Sequence, residues 1–169
     1  MKSSSMCARV AAAATVALTQ GCLLAPVTHA DPGVEVAAPT SDAANPVAVA
    51  ACEQFAAVLD ATSTYYGDFA DAIEAYAQPD YSDPAVQESN VTGRTALRQG
   101  AVAAMDAANS PGVPPDIANP MRAWSFDATK LLVKMGLRGG GESLNATATE
   151  LNTDAQSAQE ACAAAGTHA

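Results

Sequence analysis

The stretch "ACEQFAAVLDATSTYYGDFADAIEAY", residues 51–76, decides the fold. Cys52, Phe55, Leu59, Thr62, Tyr66, Phe69, Ile73 and Tyr76 recur at steps of 3, 4, 3, 4, 3, 4 and 3. Steps averaging half a heptad put one side chain per turn on a single helical face. Beside that seam stand small or apolar residues, Ala56, Val58, Ser63, Tyr65, Ala70 and Ala72. The acids Glu53, Asp60, Asp68, Asp71 and Glu74 take the remaining face. A face this wide predicts a helix packed into a bundle, not a two-stranded coil.

Working outward, one punctuation mark recurs: Asn45-Pro46, Asp83-Pro84 and Asn119-Pro120. An Asn or Asp side chain accepts an orphan N–H at a helix start, and proline at the first helical position gives up an N–H that has no partner anyway. Helices are therefore predicted to begin at 46, 84 and 120. A fourth should begin near Glu142 or Ser143, after Gly139–Gly141 ends the third in the left-handed conformation. Pro79 stops the first, and the proline-rich "NSPGVPPDIA", 109–118, separates the second from the third. The expected spans are 46–77, 84–108, 120–137 and 142–165.

Helix 4 repeats the seam with smaller residues: Leu144, Ala148, Leu151, Ala155, Ala158, Cys162 and Ala165. Helix 3 offers Met121, Trp124, Ala128, Leu131 and Met135. Helix 2 is less regular, with Val91, Leu97, Ala101, Val102 and Met105 on a broad face, and with Gly93 and Gly100 positioned for a close backbone approach.

Lys2 and Arg9, the apolar run Val10–Leu18, and Thr28 and Ala30 before Asp31 have the anatomy of a secretory signal, residues 1–30. The run is too short to span a bilayer. A competing cut before Cys22 in "LTQGC" would make a lipoprotein, with Thr19 a poor fit to that pattern. Removing residues 1–30 takes two of the eight basic residues and none of the 18 acidic ones, so the net charge moves from −10 to −12. Such a surface repels phosphates, which argues against nucleic acid as a partner. Residues 31–45 read as a flexible leader, 46–165 as the bundle and 166–169 as a tail.

Two cysteines remain after the cut, Cys52 and Cys162, and an even count in an exported chain points to a disulfide. In an up-down-up-down order, helix 1 starts where helix 4 finishes. Cys52 lies near that start and Cys162 near that finish, both on a seam. The expectation is an all-α, up-down-up-down four-helix bundle tied by a Cys52–Cys162 disulfide. Closing a loop of about 110 residues is worth at most ~4–5 kcal/mol on the chain-entropy model.

Catalysis looks poorly supplied. The mature chain has one histidine, His168, next to its last residue, and no free thiol once the cysteines pair. That leaves no Ser-His-Asp or Cys-His arrangement and no His-based zinc site. No enzyme activity, metal or cofactor is expected. Three features ask for a functional reading. On the outer side of helix 3, Phe126, Val133 and Leu137 form a second apolar stripe bordered by Lys130, Lys134 and Arg138. It is a candidate interaction face, unless the leader or the 109–119 connection covers it. Arg94 and Arg98, an i,i+4 pair within helix 2's apolar face, call for salt bridges to helix 1 acids or for an anionic ligand. Tyr65-Tyr66 with Met105, Met121 and Met135 are core residues or, alternatively, the makings of a haem pocket.

"THADP", 28–32, with an alanine-rich mature chain, resembles exported mycobacterial and related actinobacterial proteins. The resemblance is confined to the signal end and the composition. It implies export and carries over no functional residue. Small exported helical proteins that work as dimers carry a Trp-X-Gly turn, whereas Trp124 here is followed by Ser125 and Phe126. The sequence thus predicts a secreted or cell-wall-associated helical binding or interaction protein. Its partner would be a protein, an envelope component or a second copy. The alternative is a carrier of an apolar or haem-like ligand in the bundle core.

Overall fold

The computed structural model describes residues 40–74 and 80–169. They form α1 (Pro46–Glu74), α2 (Pro84–Ala108), α3 (Pro115–Gly136) and α4 (Gly141–Ala164), with no strand among the described residues. The helices run up-down-up-down. Cys52 and Cys162 are bonded, their Cα atoms 6.0 Å apart, so the expected staple joins the first helix to the last. The signal sequence, Cys22 and the leader as far as residue 39 lie outside the described residues. So does 75–79, where the sequence stops helix 1.

Two of the three expected starts form as read. The Asn45 side chain accepts from the Val47 N–H at 2.9 Å. The Asp83 side chain accepts from Ala85 and Val86 at 2.8 and 3.2 Å. The third start is corrected: α3 begins at Pro115, and Pro120 lies inside it. Pro115 is itself a good first residue, and the added turn buries Ile117 and Ala118. Pro120 deprives only the Asp116 carbonyl of a helical bond, and Asp116 is exposed to water.

The end of α3 is also corrected. Arg138, not a glycine of 139–141, takes the left-handed backbone, at φ 55°. The Arg138 N–H donates to Met135 O and the Gly139 N–H to Lys134 O, a Schellman pair. One residue later the fit is tight, since a Cβ on Gly139 would come within 3.2 Å of Lys134 O. At α4 the same pair of bonds forms around Gly166, φ 77°, a conformation open to glycine.

The core follows the seams of α1 and α3 closely: Cys52, Phe55, Thr62, Phe69 and Ile73 from α1, and Met121, Trp124, Ala128, Leu131 and Met135 from α3, are buried. Phe55 meets Trp124 edge-on, ring centres 5.5 Å apart. On α4, Thr147 is buried where the sequence suggested Ala148. It is held there by the Lys134 ammonium, which donates to its hydroxyl at 2.5 Å. On α2 the reading of the face is corrected in part, since Leu97 and Ala101 are buried as expected. Val91 and Val102 point to solvent, and the buried line is Val86, Asn90, Gly93, Leu97, Gly100, Ala104 and Ala107. This too is a heptad seam, built of small residues that let α2 approach both neighbours. A Cβ on Gly93 would come within 3.1 Å of Tyr65 O, and one on Gly100 within 2.7 Å of Thr62 Cγ2.

Packing is consecutive: α1 on α2, α2 on α3, α3 on α4. The fourth side of the square is different. Beyond the disulfide, α1 and α4 touch little, and a cleft opens between them.

Candidate functional site

Two α1 seam residues, Leu59 and Tyr66, are only partly buried. Both line the open side of the bundle, as do Ala56 and Ser63. The facing wall is α4, with Leu151, Asn152, Ala155 and Gln159. Through the gap, the floor is reached: Leu97 of α2 and Trp124 of α3. The resulting cleft has a volume of about 430 Å³ and runs away from the Cys52–Cys162 bond. The sequence explains the opening. Ala155 and Ala158 put methyl groups opposite the large residues of α1. The disulfide fixes helix separation at one end, and beyond it Leu151 is the one long apolar side chain that α4 brings to the cleft.

The cleft's polar groups are few. Thr62 and Ser63 donate their hydroxyls to the Val58 and Asp60 carbonyls at 2.7 and 2.9 Å. Gln159 donates to the Ala169 backbone oxygen at 3.0 Å. Asp60 stands at the rim. Tyr66 has its phenol pushed above the ordinary value, by burial first and then by the nearby Glu74 carboxylate and Tyr81. It is therefore a neutral hydroxyl at any physiological pH.

The residues singled out from the sequence fall in several places. Phe126, Val133 and Leu137 are 75%, 49% and 79% exposed, so no described residue covers that stripe. The cations beside it are turned elsewhere. The Lys130 ammonium bonds Glu150 and lies 3.8 Å from Asp127. Lys134 donates to Ser143 O and Thr147. Arg138 leaves the helical register at its left-handed residue. Arg94 and Arg98 form no salt bridge among the described residues, contrary to the expected pairing with helix 1 acids. Arg98 is exposed. Arg94 lies over Gly136, where a Cβ would come within 3.2 Å of its guanidinium. The Arg94 Nε is buried without a hydrogen-bond partner.

The haem-like set is not assembled. Tyr66 lines the α1–α4 cleft, while Tyr65 faces the opposite groove, between α1 and α2. Met121 and Met135 are packed in the core, and no methionine lines the cleft. Among the described residues, no group of three or more His, Cys, Asp or Glu side chains is placed to hold a metal ion. No helix of the described residues is long and apolar enough to cross a membrane.

The family model of the Rv2240c four-helix bundle domain matches residues 35–163. The chain belongs to this family. The matched span takes in Cys52, Cys162 and both walls of the cleft. The mycobacterial name of the family agrees with the resemblance seen at the signal end of the sequence. No curated protein and no solved structure matches the chain.

Proposed function

We propose that this protein is an exported, non-catalytic binding protein that holds a small apolar ligand between α1 and α4. One observation carries the reading: the missing α1–α4 packing leaves a cleft of about 430 Å³ over Leu97 and Trp124. That volume, mostly apolar walls and a few polar groups are what small-molecule sites have in common. The absence of chemistry is argued from the same residues. The Thr62 and Ser63 hydroxyls are spent on backbone carbonyls, the Tyr66 phenol is neutral, and no histidine or thiol stands in the lining. Export rests on residues 1–30. Secreted protein beginning at Asp31 supports it, and an acylated Cys22 replaces secretion with a lipid anchor.

Native mass spectrometry of protein purified from its own host tests the reading. A co-purified small molecule that is lost in Ala155→Leu, with the helix content unchanged, supports it. A clean mass in wild type, with no ligand recovered from host extract, overturns it.

A second reading has its own observation, the uncovered stripe of Phe126, Val133 and Leu137. Three side chains bury far less than the roughly 800 Å² per partner of a stable interface, so this stripe serves a transient protein contact. Phe126→Asp with Val133→Asp leaves the stability within about 0.5 kcal/mol of wild type, since both residues are exposed, and removes partner capture. A double variant that unfolds, or that still captures its partner, overturns this reading.

A further inference from the structure

A ligand in the cleft would meet carbon on three sides: Leu59, Leu97, Trp124 and Leu151, with Ala56 and Ala155 leaving the room. Of the polar groups there, Thr62, Ser63 and Gln159 are already bonded within the chain. The groups free to meet a ligand are the Asp60 carboxylate, the Tyr66 hydroxyl and the Asn152 amide. Among the lining side chains Asp60 carries the only formal charge, and no Lys, Arg or His lines the cleft. The chain around it has a net charge of −10. An anionic ligand would enter against that field with nothing to neutralise it. A cation is drawn in by the same field and finds a carboxylate at the rim. We infer that the cleft takes an apolar molecule bearing an ammonium group, its carbon body over Trp124 and Leu97 and its charge at Asp60. The inference rests on the cleft being a ligand site. Tyr66, a neutral phenol, accepts an N–H from the head group, or donates to a second oxygen or nitrogen on the ligand.

The chain's single tryptophan lines the floor, so its fluorescence reports binding directly. Three probes of one carbon skeleton separate charge from shape: phenylbutylamine, phenylbutanol and phenylbutyrate, each titrated into the folded, oxidised protein. The amine should bind tighter than the alcohol by roughly two- to fivefold, as expected for one exposed charge pair. The carboxylate should bind weakest. The amine's advantage should shrink as salt is added. Asp60→Asn should erase the difference between amine and alcohol and leave the alcohol unchanged. Ala155→Leu, or Ala56→Leu on the facing wall if the first variant loses helix content, should weaken all three. Equal binding of amine and carboxylate overturns the ligand class while leaving the cleft a site. An amine preference that survives Asp60→Asn does the same. If no probe shifts the Trp124 emission, the cleft itself fails as a ligand site, and the inference with it.

Discussion

Asp154 shows how single residues bear the acidic composition. Its carboxyl is pushed above the ordinary value, by burial first and then by the neighbouring Asp127 and Glu150. Glu150 is held low by its bond to Lys130, which also lies 3.8 Å from Asp127, so Lys130 pairs with the two neighbours and not with Asp154. The folded state therefore binds a proton at Asp154 more tightly than the unfolded chain does. Stability from this group is intact below the ordinary carboxylate range and declines as pH rises through the folded-state value. At neutral pH the ionised pair is a net cost. Asp154→Asn should accordingly raise stability at neutral pH, by under about 1 kcal/mol because the site is only partly buried. The gain should vanish in acid. Thermal melts at the two pH values check this, and a variant less stable at neutral pH contradicts it. Arg94 teaches a related lesson about reading charge from sequence. A cation on a buried face was matched to a carboxylate because only side chains are visible in a sequence. Its guanidinium lies instead over Gly136 at the end of α3, a neighbour that no residue name reveals.

At the scale of elements, the seams of α1, α3 and α4 and the cysteine pair were legible, because large apolar side chains at heptad spacing leave little choice of face. The seam of α2 was not. Its buried line contains Asn90, Gly93 and Gly100, which count as polar or neutral in any hydropathy reading, while the eye is drawn to Val91 and Val102, which are exposed. The two glycines were the visible signal, since each marks a close approach. Gly100→Ala tests how close. The substitution gains about 1 kcal/mol of helix propensity. It also drives a methyl to 2.7 Å from Thr62 Cγ2, with Val58 and Trp124 at 3.2 Å behind it. Thr62 is buried, branched and hydrogen-bonded to Val58, so it has nowhere to turn. Overpacking of this kind costs about 1–3 kcal/mol, and a lowered melting temperature is expected. A stabilised variant would mean that α1 and α2 separate more readily than their packing implies. The cleft was not legible at all. Leu59 and Tyr66 look like core residues in the sequence, and only the poor fit between α1 and α4 leaves them half-covered.

In the whole molecule, packing runs in chain order and only the disulfide closes the ring. Replacing both cysteines by serine should cost about 2–5 kcal/mol, near the ceiling for a loop this long. The loss should be read in melting curves of the double variant beside the oxidised protein, and unchanged curves would show that α1 and α4 hold together without the bond. The same bond has a mechanical consequence. Cys52 and Cys162 sit near the outer ends of the first and last helices, and they are 110 positions apart. Tension applied through residues before Cys52 and after Cys162 passes across the two sulfur atoms and bypasses everything between them. The four helices are thus in parallel with a covalent short cut and carry almost no load while it is oxidised. Pulled from those two sides in a single-molecule instrument, the oxidised protein should lengthen only by its flanking segments. Reduction should release roughly 360–400 Å of extra contour length, converting a fixed link into a long, soft tether.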